Sequence, residues 1–218
     1  MAGPIACLTE KLEFPSVDNA TTDGLLAYGG DLSVDRLLLA YRNGIFPWYD
    51  DNSPILWWCP DPRMVLFPEK LRISKSMRKI MTSGKFRLTK NSCFKTVIDN
   101  CSKIERRGQK GTWITKEMKT AYMNLHDKGH VKSYEVWEDE ELVGGLYGMD
   151  LGNVFCGESM FSLKSNASKF AFIRLLEDLK VDNYELVDCQ VYTKHLASLG
   201  AEKIPREDFL KILRKKKG

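Results

Sequence analysis

The chain reads as an α/β (α+β) protein, and three stretches carry that reading. Val131 to Glu138 and Glu141 to Met149 alternate apolar and polar residues around the acidic turn Asp139-Glu140, as a hairpin does. Phe155 to Ser162 and Val187 to Gln190 look like strand ends that each carry an acid. Between them, Ser165-Asn166-Ala167-Ser168 opens an amphipathic run toward Lys180. The unit is therefore strand, helix, strand, with a right-handed crossover as the default for parallel pairing.

In chain order, the segment up to Pro60 holds much of the glycine, proline and tryptophan and one clear helix. Ser33 caps that helix, Leu37, Leu38 and Tyr41 form its apolar face, and Gly44 stops it. The rest of the segment reads as turns. Trp57 and Trp58 suit a core, whereas Trp48, between a proline and the polar turn Asp50-Asp51-Asn52-Ser53, suits an exposed stacking surface. Met64 to Phe67 follows as strand, Ser74 to Thr82 as helix, Phe86 to Thr89 as strand, Ser92 to Cys101 as helix, and Ile104 to Gly111 as a basic loop. Lys116 to His126 is the helix before the hairpin. After Gln190 come a short helix through His195 to Leu199, a turn at Ile204-Pro205, a last helix from Arg206 to Leu213, and a basic tail to Lys217. Pro60-Asp61-Pro62 is the best boundary, giving a small N-terminal domain over 1–62 and a larger α/β domain over 63–218.

Composition narrows the function classes. No stretch approaches the roughly 18 apolar residues of a membrane span, and the start lacks a signal core, so the cytoplasm is expected. The six cysteines contain no C-x-x-C pair, and His126 and His130 lack the acid of an H-E-x-x-H pattern, so reduced thiols and no metal are expected. The net charge of +4 is polarised. From Lys70 to Ile98 there are nine basic residues and no acid, which leaves the rest of the chain at −5. Lys75, Arg78 and Lys79, with Arg72 just ahead, form one face of the Ser74 helix, opposite Met77, Ile80 and Met81. A merely solvated face normally mixes signs, so this one suits phosphate.

For chemistry, Asp188 follows Leu186-Val187 and precedes Cys189, a setting where burial would raise its pKa. An acid satisfied by backbone donors or by a Lys or Arg fits the same spacing, and the spacing leaves both open. Gly157-Glu158-Ser159 is half of a nucleophile elbow, but Phe161 stands where the second glycine belongs. Gly144, Gly145, Gly148, Gly152 and Gly157 mark bends or close backbone approach, since no G-x-G-x-x-G is present.

Longer strings run through most of the chain: Gly24 to Leu32, Gly44-Ile45-Phe46-Pro47-Trp48, Ile55 to Trp58, Pro60-Asp61-Pro62-Arg63, Gly111 to Thr115, Phe155 to Ser162, Val187-Asp188-Cys189-Gln190 and Ser198 to Ala201. Together they resemble the leucyl/phenylalanyl-tRNA protein transferase family. The order of helices, hairpin-rich sheet and strand-helix-strand unit resembles the acetyltransferase-like (GNAT-type) fold, which the family is known for in its C-terminal domain. The resemblance implies transfer of leucine or phenylalanine from charged tRNA to the α-amine of proteins beginning with arginine or lysine, marking them for degradation by the N-end rule. It implies Asp188, Gln190 and Glu158 as the catalytic group, and a donor side-chain pocket of Leu146, Phe155, Met160 and Val187. A stacking surface for the terminal adenosine of the tRNA would be Tyr41, Trp48, Trp113 and Tyr122, and Arg72, Lys75, Arg78 and Lys79 would meet its phosphates. Leu146 stands where methionine is common in the family. The charged tRNA is a co-substrate, no cofactor is implied, and a monomer is expected. A coenzyme-A acetyltransferase is disfavoured because the loop Phe161 to Ser168 has no glycine for a pyrophosphate. A non-catalytic RNA-binding module would explain the basic segment but not two acids near a nucleic acid.

Overall fold

Residues 5–104 and 113–215 are described by the computed structural model. The basic loop expected after Ile104, with Gly111-Thr112, and the lysines of the tail from 216 onward lie outside the described residues.

Short aromatic runs before Pro60 become strands where turns were expected. These are β1 (Ala6–Leu8), β2 (Leu25–Gly29), β3 (Phe46–Pro47) and β4 (Leu56–Trp58), in a four-stranded sheet of order β1-β2-β4-β3, with α1 (Val34–Arg42) between β2 and β3. None is longer than five residues, too short to show alternation. Ser33 caps α1 as expected, its hydroxyl accepting from the Arg36 amide at 3.4 Å. The indole of Trp57 is buried and donates to the Gly29 carbonyl at 2.9 Å, pinning β4 against β2.

The second sheet follows: β5 (Arg63–Leu66), α2 (Lys75–Thr82), β6 (Arg87–Lys90), α3 (Phe94–Lys103), α4 (Lys116–Asp127), β7 (Val131–Glu138), β8 (Glu141–Asp150), β9 (Val154–Ser162), α5 (Ala167–Val181), β10 (Leu186–Gln190), α6 (Lys194–Ser198), β11 (Glu202–Ile204) and α7 (Arg206–Leu213). Its order is β11-β5-β10-β9-β8-β7-β6. Strands β7, β8 and β9 form an antiparallel meander, and β9 pairs in parallel with β10 across α5, the acetyltransferase-like arrangement that the sequence order anticipates. The stretch expected as a turn before Pro205 is instead edge strand β11, paired antiparallel with β5.

Two apolar layers cover the sheet. Leu37, Trp57, Tyr122, Tyr147 and Phe209 share one, so residues before and after Pro62 pack into a common core. Leu146, Phe155, Phe172, Leu175 and Val187 share the other, beneath α5. Close approach explains two glycines of β8. A Cβ at Gly148 would lie 2.3 Å from the Cys156 carbonyl oxygen, and one at Gly144 would lie 2.6 Å from the Ala167 Cβ. Pairing between β9 and β10 ends at Cys156 and Asp188, although β9 runs on to Ser162. The candidate site occupies the fork that this leaves.

Candidate active site

Both acids of the sequence reading lie at this fork, in different surroundings. Asp188 is fully buried and both of its oxygens are taken by Arg63: Nε donates to Oδ1 at 2.8 Å and Nη2 to Oδ2 at 2.7 Å. Arg63 opens β5, beside β10, and its guanidinium lies between the rings of Phe46 and Phe209, 4.8 and 4.7 Å from their centroids. Strand β3, strand β5 and helix α7 therefore converge on one buried ion pair. Of the two readings that spacing left open for Asp188, the geometry matches the acid satisfied by an arginine and the backbone. Oδ1 also accepts from the backbone amide of Gln190 at 2.9 Å.

That last bond shapes the chain. Gln190 has a positive φ of 62°, the register slips between Asp188 and Gln190, and the Val191 amide bonds back to the Cys189 carbonyl at 2.7 Å. A left-handed glutamine in a three-residue turn is costly and persists where its surroundings fix it. Here the fixed Asp188 carboxylate holds the turn, and the turn aims the Gln190 side chain across the fork, where Nε2 donates to Glu158 Oε1 at 2.9 Å.

Glu158 is bonded instead by two phenols and an amide, and among the described residues it has no ion pair. Tyr41 donates to Oε1 at 2.7 Å and Tyr122 to Oε2 at 2.9 Å, and the two phenol oxygens also touch each other. Burial pushes its carboxyl up to about 7. The nearby Asp188 charge adds to this, and the bonds from Tyr41, Tyr122 and Gln190 oppose it. Both phenols are themselves raised well above the usual tyrosine value, first by burial and then by the Glu158 charge, so they act as donors. This corrects one expectation. Tyr41 and Tyr122, assigned to an adenosine-stacking surface, are 1% and 0% exposed and offer no free ring face.

Glu158 and Gln190 line a cavity of about 460 Å³ whose inner wall is apolar. Leu146, Phe155, Met160 and Val187, the four residues expected to form a donor pocket, all contribute, joined by Phe172 and Leu175 of α5. Trp48 and Trp113 also line it, and Trp48 is 37% exposed, so these two remain available for stacking. Among the described residues lining the cavity, Glu158 alone carries a carboxylate. Asp188, the other acid of the implied catalytic group, does not line the cavity, and its charge is matched by Arg63.

Arg72, Lys75, Arg78 and Lys79 are exposed on α2 and just before it, while Met77 is buried beneath them. Elsewhere in the basic segment, Lys70, Lys85 and Lys90 pair with Glu202, Glu138 and Asp178. Of the six basic residues of this segment that remain, four lie on or just before α2, and Arg87 and Lys95 lie on β6 and α3. The Arg72 amide donates to the Leu199 carbonyl at 2.8 Å, which ties this face to α6, whose His195 and Leu196 line the cavity. Sequence reasoning did not single out Arg63; its signal was an arginine opening an otherwise apolar strand.

Comparison with known proteins agrees with this arrangement. Residues 65–214 match the family described as leucyl/phenylalanyl-tRNA protein transferase, and residues 30–61 match the N-terminal domain of that family. A leucyl/phenylalanyl-tRNA protein transferase of Flavobacterium johnsoniae is 60% identical over 209 residues, covering 96% of this chain and 99% of the relative. One of Syntrophus aciditrophicus is 55% identical, covering 97% and 89%. Among solved structures, the C-terminal domain of a putative lysylphosphatidylglycerol synthetase of Agrobacterium fabrum is 10% identical with a TM-score of 0.42, covering 84% of this chain and 62% of that one. On its near end-to-end match at more than half identity, the chain belongs to the leucyl/phenylalanyl-tRNA protein transferase family.

Proposed function

We propose that the protein moves leucine or phenylalanine from charged tRNA to the α-amine of proteins that begin with arginine or lysine, by the division of labour that the fork suggests. The observation that carries this reading is one carboxyl, raised to about 7, at the edge of an apolar cavity large enough for either side chain. The donor side chain fills the cavity among Leu146, Phe155, Met160 and Val187. The terminal adenosine stacks on Trp48 and Trp113, and the α2 face follows the phosphates of the acceptor stem.

The amine attacks the ester carbonyl. A carbon–nitrogen bond forms, the bond from carbonyl carbon to ribose oxygen breaks, and the amine loses a proton that the ribose oxygen finally receives. Glu158 is the carrier. A carboxylate offers about four acceptor positions, and three are filled by Tyr41, Tyr122 and Gln190. Its pKa of about 7 suits exchange with an N-terminal amine of about 7.7 to 8.0. Gln190 has no basic group and orients Glu158 and the substrate. Asp188, sealed by Arg63, acts through Gln190 as a positioning residue. Holding amine and ester together supplies about 7 to 11 kcal/mol, so positioning dominates. Because the ester is already activated, the chemistry calls for no cofactor beyond the charged tRNA. We place the reaction in the cytoplasm, where charged tRNA is found, with the protein acting as a monomer; among the described residues no helix is long and apolar enough to cross a membrane.

The test is transfer of labelled leucine from charged tRNA to two peptides that differ only in starting with arginine or alanine. Label on the arginine peptide alone is expected. Salt-sensitive tRNA binding with label on neither would leave an RNA-binding module instead.

A further inference from the structure

An acceptor that begins with arginine or lysine brings two positive charges, the α-ammonium and the first side chain. The cavity meets them with a single carboxylate, since Asp188 is neutralised within its own ion pair. The reacting amine must reach Glu158, so the side chain needs another partner.

One exposed residue next to the site is aromatic. Gln190 bonds to Glu158, Val191 and Thr193 line the cavity, and Tyr192 between them is 53% exposed. Two residues of chain span at most about 7 Å, a distance that an arginine side chain covers. The ring already holds a cation: the Lys203 ammonium, from edge strand β11, lies 5.3 Å from its centroid. Lys203 is exposed, and its neighbour Glu202 is engaged by Lys70.

We propose that the Tyr192 ring is the subsite for the first side chain of the acceptor, a cation–π contact whose place Lys203 holds in the free protein. This rests on the function proposed above and adds a specificity-determining residue to it. The acceptor cation displaces the Lys203 ammonium, whose flexible stem lets it swing back into water. A planar guanidinium stacks on an aromatic face better than an ammonium does, so acceptors starting with arginine gain more than those starting with lysine.

The experiment measures KM for peptides starting with arginine and with lysine, and KM for charged tRNA, in four proteins: wild type, Tyr192→Ala, Tyr192→Phe and Lys203→Ala. Tyr192→Ala is expected to raise KM for the arginine peptide about two- to fivefold, the change that a contact of about 0.5 to 1 kcal/mol makes. The lysine peptide should be affected less, and KM for charged tRNA should not move. Tyr192→Phe should restore the wild-type value because it keeps the ring. Lys203→Ala should lower peptide KM by vacating the ring. An unchanged peptide KM in Tyr192→Ala, or Tyr192→Phe as impaired as the alanine variant, overturns the subsite while leaving the transferase reading intact. No transfer to the arginine peptide by the wild type overturns both.

Discussion

Replacing Glu158 by glutamine should make the protein more stable and less active at pH 8. Burial lifts the carboxyl from the ordinary 4.5 to about 7, so the folded state favours the proton. Stability from this group is complete below about pH 4.5 and is lost as pH rises through 7, because the unfolded chain ionises freely while the native one resists. A shift of this size corresponds to about 3 kcal/mol by pH 8. Glutamine copies the protonated form and carries no such penalty. For a chain of this length about 1 kcal/mol moves the melting midpoint by about 2 to 4 °C, so the variant should melt about 6 to 12 °C above wild type at pH 8. At pH 4.5 the two midpoints should nearly coincide. Thermal unfolding followed by circular dichroism at both pH values reads the effect directly. In parallel, kcat for transfer at pH 8 should fall by about 10² to 10⁴, the contribution of a proton carrier. A glutamine variant that melts below wild type at pH 8 would falsify the assignment, since the ionised carboxylate would then be a net stabiliser.

Three further outcomes follow from the geometry. Asp188→Asn leaves the Arg63 guanidinium buried and unpaired and should cost about 3 to 5 kcal/mol in a urea titration; a variant as stable as wild type would show the ion pair to be dispensable. Leu146→Phe narrows the cavity and should lower use of phenylalanine relative to leucine about tenfold when both charged tRNAs compete, whereas an unchanged ratio would put the donor side chain elsewhere. Changing Lys75, Arg78 and Lys79 together to glutamine should reduce the salt dependence of tRNA binding by about two to three units of slope, and an unaltered slope would remove α2 from the RNA interface.

Much of the fold is written locally. The hairpin of β7 and β8, the caps of α1, α2 and α4, and the strand-helix-strand unit around α5 each follow from periodicity and capping residues within a few turns of chain. The four strands before Pro60 and edge strand β11 were illegible because two to five residues carry no measurable period and depend on partners elsewhere. The site divides in the same way. Leu146, Phe155, Met160 and Val187, which the family resemblance implied, converge because they sit on the adjacent strands β8, β9 and β10. What spacing could not supply was the identity of the group facing each acid. Arg63 lies 125 residues from Asp188, and Tyr41 lies 117 from Glu158. Those distant partners decide that the acid with the more buried-looking context is locked, while the other is poised to titrate.

The contact between Tyr41, Tyr122 and Glu158 can be counted in hydrogens. Three groups touch pairwise through four oxygens, and two phenols bring two hydrogens for three contacts. While Glu158 is ionised, one side of the triangle has no hydrogen. When the carboxyl takes up a proton, the circle closes: carboxyl to one phenol, that phenol to the other, and the second phenol back to the remaining carboxyl oxygen. In the reaction proposed above, accepting the proton of the amine would complete a ring of donors, and releasing it to the departing ribose oxygen would reopen the ring for the next turnover.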